Sequence, residues 1–356
     1  MYSRREFGQL LGMSLPCALS LMRIDSTAEA ADSLSETNRS MVKGVRLGLI
    51  TYSFSDMPNV VGQDHIDMVI QNCQACGVGL IELMSNHAEP VTDYQIKQAA
   101  ARASRMAAAE ANPNGASGRG TASLGGGGGR ENRGTPTPEA LRARDELREW
   151  RLLTPMSHFQ DIKKKFDDAG IVIYAYCVNG MGADFTDQEI DKMFAQAQTL
   201  GATVISTSTT LEVAQKLVPM VEKHQFPIAF HNHANLADPN QFATPESFAK
   251  ALAMSKYYKI NLDIGHFTQA NFDAVSYLQQ HHADISHLHV KDVKRDGGPI
   301  LPWGEADTPI KAVLQLLKTN QWPIPAEVEL EYRIPAGSNS VEEVNKCMVI
   351  MKADLA

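Results

Sequence analysis

The segment INLDIGHFTQANFDAVSYLQQHHADISHLHV, from Ile260 to Val290, decides the fold of this chain. It begins and ends with short apolar runs, Ile260–Ile264 and Ile285–Val290, and a helical stretch separates them. Runs of about four to eight β-branched or large apolar residues are typical of buried parallel strands. The segment therefore predicts a strand, a crossover helix and a second strand parallel to the first.

The same unit recurs along the chain from Val45 onward. Six further runs have the composition of buried strands: Val45–Tyr52, Val78–Met84, Ile171–Val178, Thr203–Ser206, Ile228–His231 and Glu327–Tyr332. Amphipathic stretches separate the runs, as in Asp187–Leu200, Glu246–Met254 and Val341–Met351. Eight alternating strand–helix units predict an α/β protein, a single (β/α)8 TIM barrel over residues 45–356.

An open, doubly wound sheet is the alternative fold for such alternation. It would need a glycine-rich phosphate-binding turn after the first strand, and Thr51–Phe54 contains no glycine. Gly77, Gly170 and Gly201 instead stand just before predicted strands, where helix C-caps are expected. The closed barrel is therefore the prediction.

One stretch interrupts the alternation. Residues 100–137 are mostly Ala, Gly, Arg, Asn and Ser, with five consecutive glycines at Gly125–Gly129. Such a composition buries too little apolar surface to order itself, so we expect a disordered insertion after strand 2. Helix should resume near Pro138. A long loop on the active face of a barrel can be a lid or a spacer, and the glycines favour a spacer.

Residues 1–30 have the features of an export signal. Ser3–Phe7 reads S-R-R-E-F, as in twin-arginine (Tat) signals, a short apolar run follows, and Ala28–Ala30 offers a cleavage site. We therefore expect a signal peptide over 1–30, a linker over 31–44, and a periplasmic barrel delivered by the Tat machinery. No segment reaches the ~18 apolar residues of a spanning helix, so stable membrane insertion is not expected. The net charge of −8 argues against a nucleic-acid partner.

Ionisable residues gather at the carboxyl ends of the predicted strands, where barrels build their active sites. They are Glu82 and His87, His231 and His233, Asp263 and His266, His287, His289 and Lys291, and Glu329 and Glu331. Residues two apart share a face of a strand, so His287 and His289 point inward together, as do Glu329 and Glu331. Buried carboxylates facing imidazoles are costly unless a cation lies among them. We expect one divalent metal ion; mixed N and O ligands suit Mn, Zn, Co or Fe without selecting one.

At these residues the sequence resembles the xylose isomerase-like barrel superfamily, especially its sugar phosphate isomerase/epimerase branch. The matching motifs are GVGLIEL at Gly77–Leu83, LDIGH at Leu262–His266, HLHVKD at His287–Asp292, PWGE at Pro302–Glu305 and ELEY at Glu329–Tyr332. The resemblance covers the barrel from about Val45 to about Met351. It implies that Asp263, His289 and Glu329 are metal ligands.

The chain departs from the family pattern at the fourth ligand, which is usually the glutamate of an E-N-H tripeptide. Here the tripeptide is His231-Asn232-His233, so we expect His231 as the fourth ligand. The resemblance further implies that Glu82 binds substrate hydroxyls. His233, His266 and Lys291 would face the substrate, and His87 and Glu331 would bind it too.

The resemblance implies a metal-dependent isomerase or epimerase of a sugar or keto-sugar. It would abstract a proton next to a carbonyl and pass through a metal-stabilised enediolate. The family's epimerases use two metal-bound glutamates, and His231 leaves Glu329 as the base, with His266, His233 or Lys291 as the acid.

Two alternatives stay open. One is a metal-dependent lyase or dehydratase that cleaves keto-sugars or 3-keto-glycosides by β-elimination. The other is a non-catalytic periplasmic carbohydrate-binding protein. In each case the expected partner is a small carbohydrate. The sequence names neither the substrate nor the metal, and the chain could be a monomer or a homo-oligomer.

Overall fold

A computed structural model describes residues 40–111, 137–178, 180–181 and 184–356. Within them, eight parallel strands alternate with helices and close into a barrel. The strands are β1 Val45–Ile50, β2 Leu80–Met84, β3 Val172–Cys177, β4 Val204–Thr207, β5 Ile228–His231, β6 Tyr258–Asp263, β7 Ile285–Val290 and β8 Ala326–Val328. Because β1 pairs with both β2 and β8, each barrel strand has two neighbours. The predicted (β/α)8 barrel is confirmed.

Helices cover the outside of the barrel. They are α1 Ile66–Ala75, α2 Ser85–Ala88, α3 Asp93–Ala111, α4 Pro138–Leu153, α5 Met156–Asp168, α6 Asp187–Thr199, α7 Leu211–His224, α8 Pro245–Leu252, α9 Ile264–Gln269, α10 Ala274–His281, α11 Ile310–Asn320 and α12 Ser340–Asp354. Gly77, Gly170 and Gly201 have φ values of 62°, 66° and 74°, the left-handed conformation that a helix C-cap requires.

The last strand is shorter than predicted. It ends at Val328, because Ser53 from a 3-10 turn after β1 reaches across to it. The Ser53 hydroxyl donates to the carbonyl of Val328 (3.0 Å) and accepts from the backbone N–H of Leu330 (3.0 Å). The Ser53 side chain thus takes the place of the next backbone hydrogen bond between the two strands. Residues 329–339 are then irregular chain that leads to helix α12.

The predicted insertion is helical at its beginning. Residues 100–111 continue helix α3, because Ala and Arg are strong helix formers. Residues 112–136, which include the five glycines, lie outside the described residues. Helix resumes at Pro138 as expected, with Thr137 as N-cap. Arg151 of α4 then forms a bidentate ion pair with Glu89 beyond β2 (2.7 and 2.9 Å).

The predicted signal peptide and most of the predicted linker also lie outside the described residues. Residues 40–44 do not behave as a linker, because Met41–Val42 pairs antiparallel with the start of β1. The Ser40 hydroxyl accepts from the backbone N–H of Gly79 (2.7 Å), which ties this hairpin to β2. Among the helices that the structure describes, none has the length and apolarity needed to cross a bilayer.

The interior of the barrel contains many polar side chains. TIM barrels usually fill this space with branched apolar residues. Here six ionisable or amide side chains are almost completely buried there: Glu82, Asn261, Asp263, His287, His289 and Glu327. Burying so many polar groups is costly unless they bind one another or a ligand. The barrel interior is therefore the place to look for the functional site.

Candidate metal centre

The strand ends bring four potential metal ligands together at the carboxyl mouth of the barrel. His231 ends β5, Asp263 ends β6, His289 lies near the end of β7 and Glu329 follows β8. Each offers one ligand atom, these atoms lie within 4.8 Å of one another, and the residues are at most 7% exposed. These are the four residues expected as metal ligands.

The side-chain geometry of this group fits a metal ion. The Nε2 atom of His231 lies 3.2 Å from Oδ2 of Asp263, and Nδ1 of His289 lies 3.0 Å from Oε2 of Glu329. Ligand atoms about 2.0–2.2 Å from a common ion would be separated by distances of this size. The four residues could therefore hold a divalent ion with two nitrogen and two oxygen ligands.

Neighbouring groups orient two of these side chains. Oδ1 of Asp263 accepts the backbone N–H of His266 (2.7 Å) at the start of α9, which leaves Oδ2 facing the group. Asn232 holds the Asp263 backbone, accepting its N–H (2.9 Å) and donating to its carbonyl (3.1 Å). The Ser208 hydroxyl lies 3.2 Å from Nδ1 of His231, so the Nε2 of that ring faces the centre. Such outer contacts are typical of metal sites.

Lys291 provides the positive charge beside the carboxylates. Its Nζ lies 2.7 Å from Oδ2 of Asp263 and 3.0 Å from Oε2 of Glu329, and it also contacts Glu331. Burial alone would lower the pKa of Lys291, but these three carboxylates outweigh burial and raise the pKa well above its usual value. Burial would raise the pKa of Glu329, yet Lys291 and His289 hold it well below its usual range. Lys291 is therefore charged and Glu329 ionised at neutral pH.

His266 lies behind the carboxylates. Its Nε2 is 3.0 Å from Nζ of Lys291 and its Nδ1 is 3.0 Å from Oε1 of Gln269. Burial, and then Lys291, lower the pKa of His266. A neutral ring that accepts from Lys291 and donates to Gln269 satisfies both contacts. In this arrangement the Nε2 of His266 carries no proton, and Lys291 is the better proton donor.

A cavity of about 40 Å³ opens onto the group. Six of the predicted site residues line it: Glu82, His231, His233, His289, Glu329 and Glu331. Tyr52, Met84, Cys177, Ser206 and Ser208 also line it and were missed, because single hydroxyl, thiol and apolar residues give no distinctive pattern in the sequence. Burial, and then His231, lower the pKa of His233 well below its usual value, so this ring is neutral.

His87 was expected to bind substrate, but the structure does not bring it to the cavity. The short helix α2 turns its ring back toward β1, where Nδ1 lies 2.9 Å from the Thr51 hydroxyl. The ring also packs on His65, with centroids 5.2 Å apart. Burial, and then the nearby His65, lower the pKa of His87 to about 3. His87 is therefore a buried neutral residue beside the site.

Glu82 lies deeper in the barrel than expected for a residue that binds substrate hydroxyls at the rim. Its Oε2 lies 2.6 Å from Nε2 of His289 and 3.1 Å from Nε2 of His287, and its Oε1 accepts the Ser206 hydroxyl. Glu327 belongs to the same buried cluster, which the structure shows as a second group able to hold a metal. The sequence signal for Glu327 was its spacing of two from Glu329, which places both on the inner face of the predicted strand Glu327–Tyr332.

The structure thus defines a class of protein: closed α/β barrels with a buried His/Asp/Glu group at the carboxyl ends of their strands. The model of the family described as "Xylose isomerase-like TIM barrel" matches residues 138–348, so the chain belongs to that family. No curated protein matches the chain.

Solved structures share the fold. The IOLI protein with a bound zinc atom superposes with a TM-score of 0.53 at 14% identity, covering 87% of this chain and 99% of its own. The probable 3-DHS dehydratase AsbF from Bacillus anthracis gives 0.52 at 14% identity, covering 85% and 97%. The 3-keto-D-glucoside 4-epimerase YcjR from E. coli gives 0.52 at 9% identity, covering 87% and 99%. At these identities the likeness concerns the fold alone.

Proposed function

We propose that this chain is a metal-dependent isomerase or epimerase of an uncharged sugar or keto-sugar. One observation carries the proposal: the ionised Glu329 belongs to the four-residue metal group and also lines the cavity. A carboxylate in that position can reach both the ion and a bound substrate. A purely structural ion pair would have no reason to open onto a cavity.

His231, Asp263, His289 and Glu329 would hold the ion, with His231 replacing the glutamate that is usual in the family. When bound, a divalent ion supplies Lewis acidity that polarises a carbonyl and makes the neighbouring C–H bond more acidic. The choice among Mn, Zn, Co and Fe stays open, because the ligand set suits each of them.

Glu329 is the proposed base. Its carboxylate would accept the proton from the carbon next to the substrate carbonyl. Lys291 contacts both Glu329 and Glu331, and its ammonium keeps Glu329 ionised before the reaction. The same ammonium is the proposed proton store, from which a proton can pass through the carboxylates to the substrate. His266, neutral at Nε2, would take part by accepting from Lys291.

The position of His231 favours proton transfer on one face of the substrate. Its Nε2 is directed at Asp263 (3.2 Å) and Glu329 (3.7 Å), as a ligand would be. The second metal-bound glutamate of a symmetric epimerase is therefore missing at this position. A 1,2-isomerisation needs one base only, and so does β-elimination. The same observation thus supports a second candidate, a lyase or dehydratase of keto-sugars or 3-keto-glycosides.

The cavity supports an uncharged substrate. Its described lining consists of hydroxyl, imidazole, amide, carboxylate, thiol and apolar side chains, and contains no Lys or Arg. A phosphate group is usually bound by such cations or by a helix N-terminus. We therefore propose free sugars or glycosides rather than sugar phosphates, in agreement with the proposed Tat export to the periplasm. Fractionation of cells that express the full chain, with Arg4 and Arg5 intact or both replaced by Lys, tests the export.

Deuterium exchange tests the reaction. The chain is loaded with Mn²⁺ or Zn²⁺ and incubated in D₂O with keto-sugars and 3-keto-glycosides, and products are followed by NMR. We expect deuterium at the carbon next to the carbonyl, and Glu329→Gln should slow its incorporation by at least about 100-fold. Glu305→Gln, at an exposed position, is the matched control and should behave like the wild type.

The products distinguish the candidates. An isomeric sugar indicates an isomerase or epimerase, whereas an unsaturated sugar or a released aglycone indicates the lyase. Saturable binding without any exchange, in a chain that holds its metal, would contradict both and leave the carbohydrate-binding protein.

A further inference from the structure

Beneath the proposed metal centre lies a second buried cluster of metal-ligating groups. It consists of Glu82 on β2, His287 and His289 on β7 and Glu327 on β8. One ligand atom from each lies within 4.8 Å of the others, and no member is more than 2% exposed. The proposed reaction uses none of Glu82, His287 and Glu327.

Three buried oxygen atoms in and beside this cluster have no hydrogen-bond partner. Both carboxylate oxygens of Glu327 are buried without a hydrogen-bond partner, and so is Oδ1 of Asn261, whose amide nitrogen lies 3.1 Å from Nε2 of His289. Unpaired buried oxygens of this kind are rare and costly. A cation among them would satisfy several at once.

His287 directly contacts a carboxylate of the cluster. Its Nε2 lies 3.1 Å from Oε2 of Glu82, and its Nδ1 lies 2.8 Å from the Ser286 hydroxyl. A metal ion bound by Nε2 and Oε2 would replace this contact by ligation. The Ser286 contact is the outer-shell bond that a metal-binding histidine usually makes.

His289 connects the two clusters. Its Nδ1 lies 3.0 Å from Glu329 in the first, and its Nε2 lies 2.6 Å from Glu82 in the second. The two nitrogens of an imidazole ring point in divergent directions, so one ring can serve two ions once both nitrogens are deprotonated.

The backbone leaves room for Glu327. Gly48 of β1 pairs with Glu327 across the sheet, and a Cβ at position 48 would lie 3.3 Å from Cγ of Glu327 and 2.8 Å from the Leu80 carbonyl. The absence of a side chain on Gly48 thus accommodates the carboxylate inside the barrel. Glu82 and His289 line the cavity, which gives an ion a path to the cluster.

We propose that Glu82, His287 and Glu327 form a second divalent-metal site that shares His289 with the first, so that the barrel holds a pair of ions. The ion would bind as Zn²⁺ or Mn²⁺, and the ring protons of His289 would pass to solvent. The proposal rests on the proposed function only in that His289 also belongs to the first site.

Metal stoichiometry tests the second site. The full chain is loaded with Zn²⁺, freed of excess metal, and measured by plasma mass spectrometry beside three variants. We expect about two ions per chain in the wild type and about one in Glu327→Gln. Asp263→Asn, which impairs the first site, should also hold about one. Glu331→Gln, a buried carboxylate of neither cluster, should keep both, and circular dichroism checks that each variant is folded.

A second measurement needs no variant. Two Mn²⁺ ions that share an imidazole are magnetically coupled, so the fully loaded wild type should give a broadened electron paramagnetic resonance spectrum. An isolated ion gives resolved hyperfine lines, which we expect at low loading and in Glu327→Gln.

The possible outcomes distinguish failure of the second metal site from failure of the proposed function. One ion in the wild type, kept by Glu327→Gln and lost by Asp263→Asn, would overturn the second site and leave the proposed function intact. No ion in any protein after reconstitution would overturn both. Hyperfine lines unchanged up to full loading would contradict the shared histidine.

Discussion

The buried His87 predicts how the stability of this barrel depends on pH. Burial, and then His65, lower the pKa of His87 to about 3 in the folded chain, whereas an unfolded chain has an ordinary His pKa of about 6.5. Between these values the unfolded state binds a proton that the folded state does not. Above about pH 6.5 the titration of His87 does not change the free energy of unfolding. That free energy falls as the pH drops from about 6.5 toward 3.

The size of this loss follows from the two pKa values. At pH 5 protonation of this one side chain in the unfolded chain lowers the free energy of unfolding by about 2 kcal/mol. At pH 3, where the folded side chain is itself about half protonated, the reduction is about 4 kcal/mol. Other groups titrate in the same range, the paired carboxylates of the site among them. The contribution of His87 must therefore be measured as a difference between two proteins.

His87→Asn isolates that contribution. The Asn carbonyl can accept from the Thr51 hydroxyl in place of Nδ1, and the side chain has no titration. Urea unfolding of both proteins is measured with chelator at about pH 7.5 and pH 5. We expect the wild type to lose about 2 kcal/mol more than the variant on acidification. Equal losses in the two proteins would refute the reasoning, since a constant packing defect in the variant cancels in the comparison.

Two further predictions concern ion pairs. Arg151→Met leaves the carboxylate of Glu89 buried, and we expect a loss of about 3–5 kcal/mol in the free energy of unfolding by urea. Lys164→Met breaks an exposed pair and should leave the free energy of unfolding nearly unchanged; similar losses in the two variants would contradict the burial argument. Lys291→Met should retain metal but slow deuterium exchange by about 100-fold or more, because the proposed proton store is removed, and an unchanged rate would exclude that role.

Most of the fold could be predicted from the sequence because each barrel strand is buried on both faces and therefore reads as an apolar run. Ile285–Val290 has the predicted bounds, and Ile228–His231 does too. The prediction failed at β8, where Ser53 replaces a ladder bond from a distant part of the chain. No local pattern announces such a contact. Residues 100–111 are helical at the start of the predicted insertion, because the helix propensity of Ala and Arg acts locally even in a segment of low apolar content.

The candidate site could be predicted where strand geometry alone decides the direction in which a side chain points. His231, Asp263, His289 and Glu329 converge because the ends of parallel strands meet at one mouth. His87 does not line the cavity, since the four-residue helix after β2 turns its ring toward Thr51.

Glu327 was missed although it shares the inner face of the predicted last strand with Glu329. It lies deep in the barrel, where an apolar residue is the ordinary expectation. The depth of Lys291 behind the carboxylates likewise depends on the assembled barrel, and only the structure shows it.

The most direct test of the central claim is anomalous X-ray diffraction from crystals of the chain loaded with Zn²⁺, measured at the zinc absorption edge. We expect a peak about 2.0–2.3 Å from the ligand atoms of His231, Asp263, His289 and Glu329. Asp263→Asn should weaken or abolish that peak. A map without density at these four residues, with Lys291 still bridging Asp263 and Glu329, would contradict a metal centre there and the chemistry proposed for it.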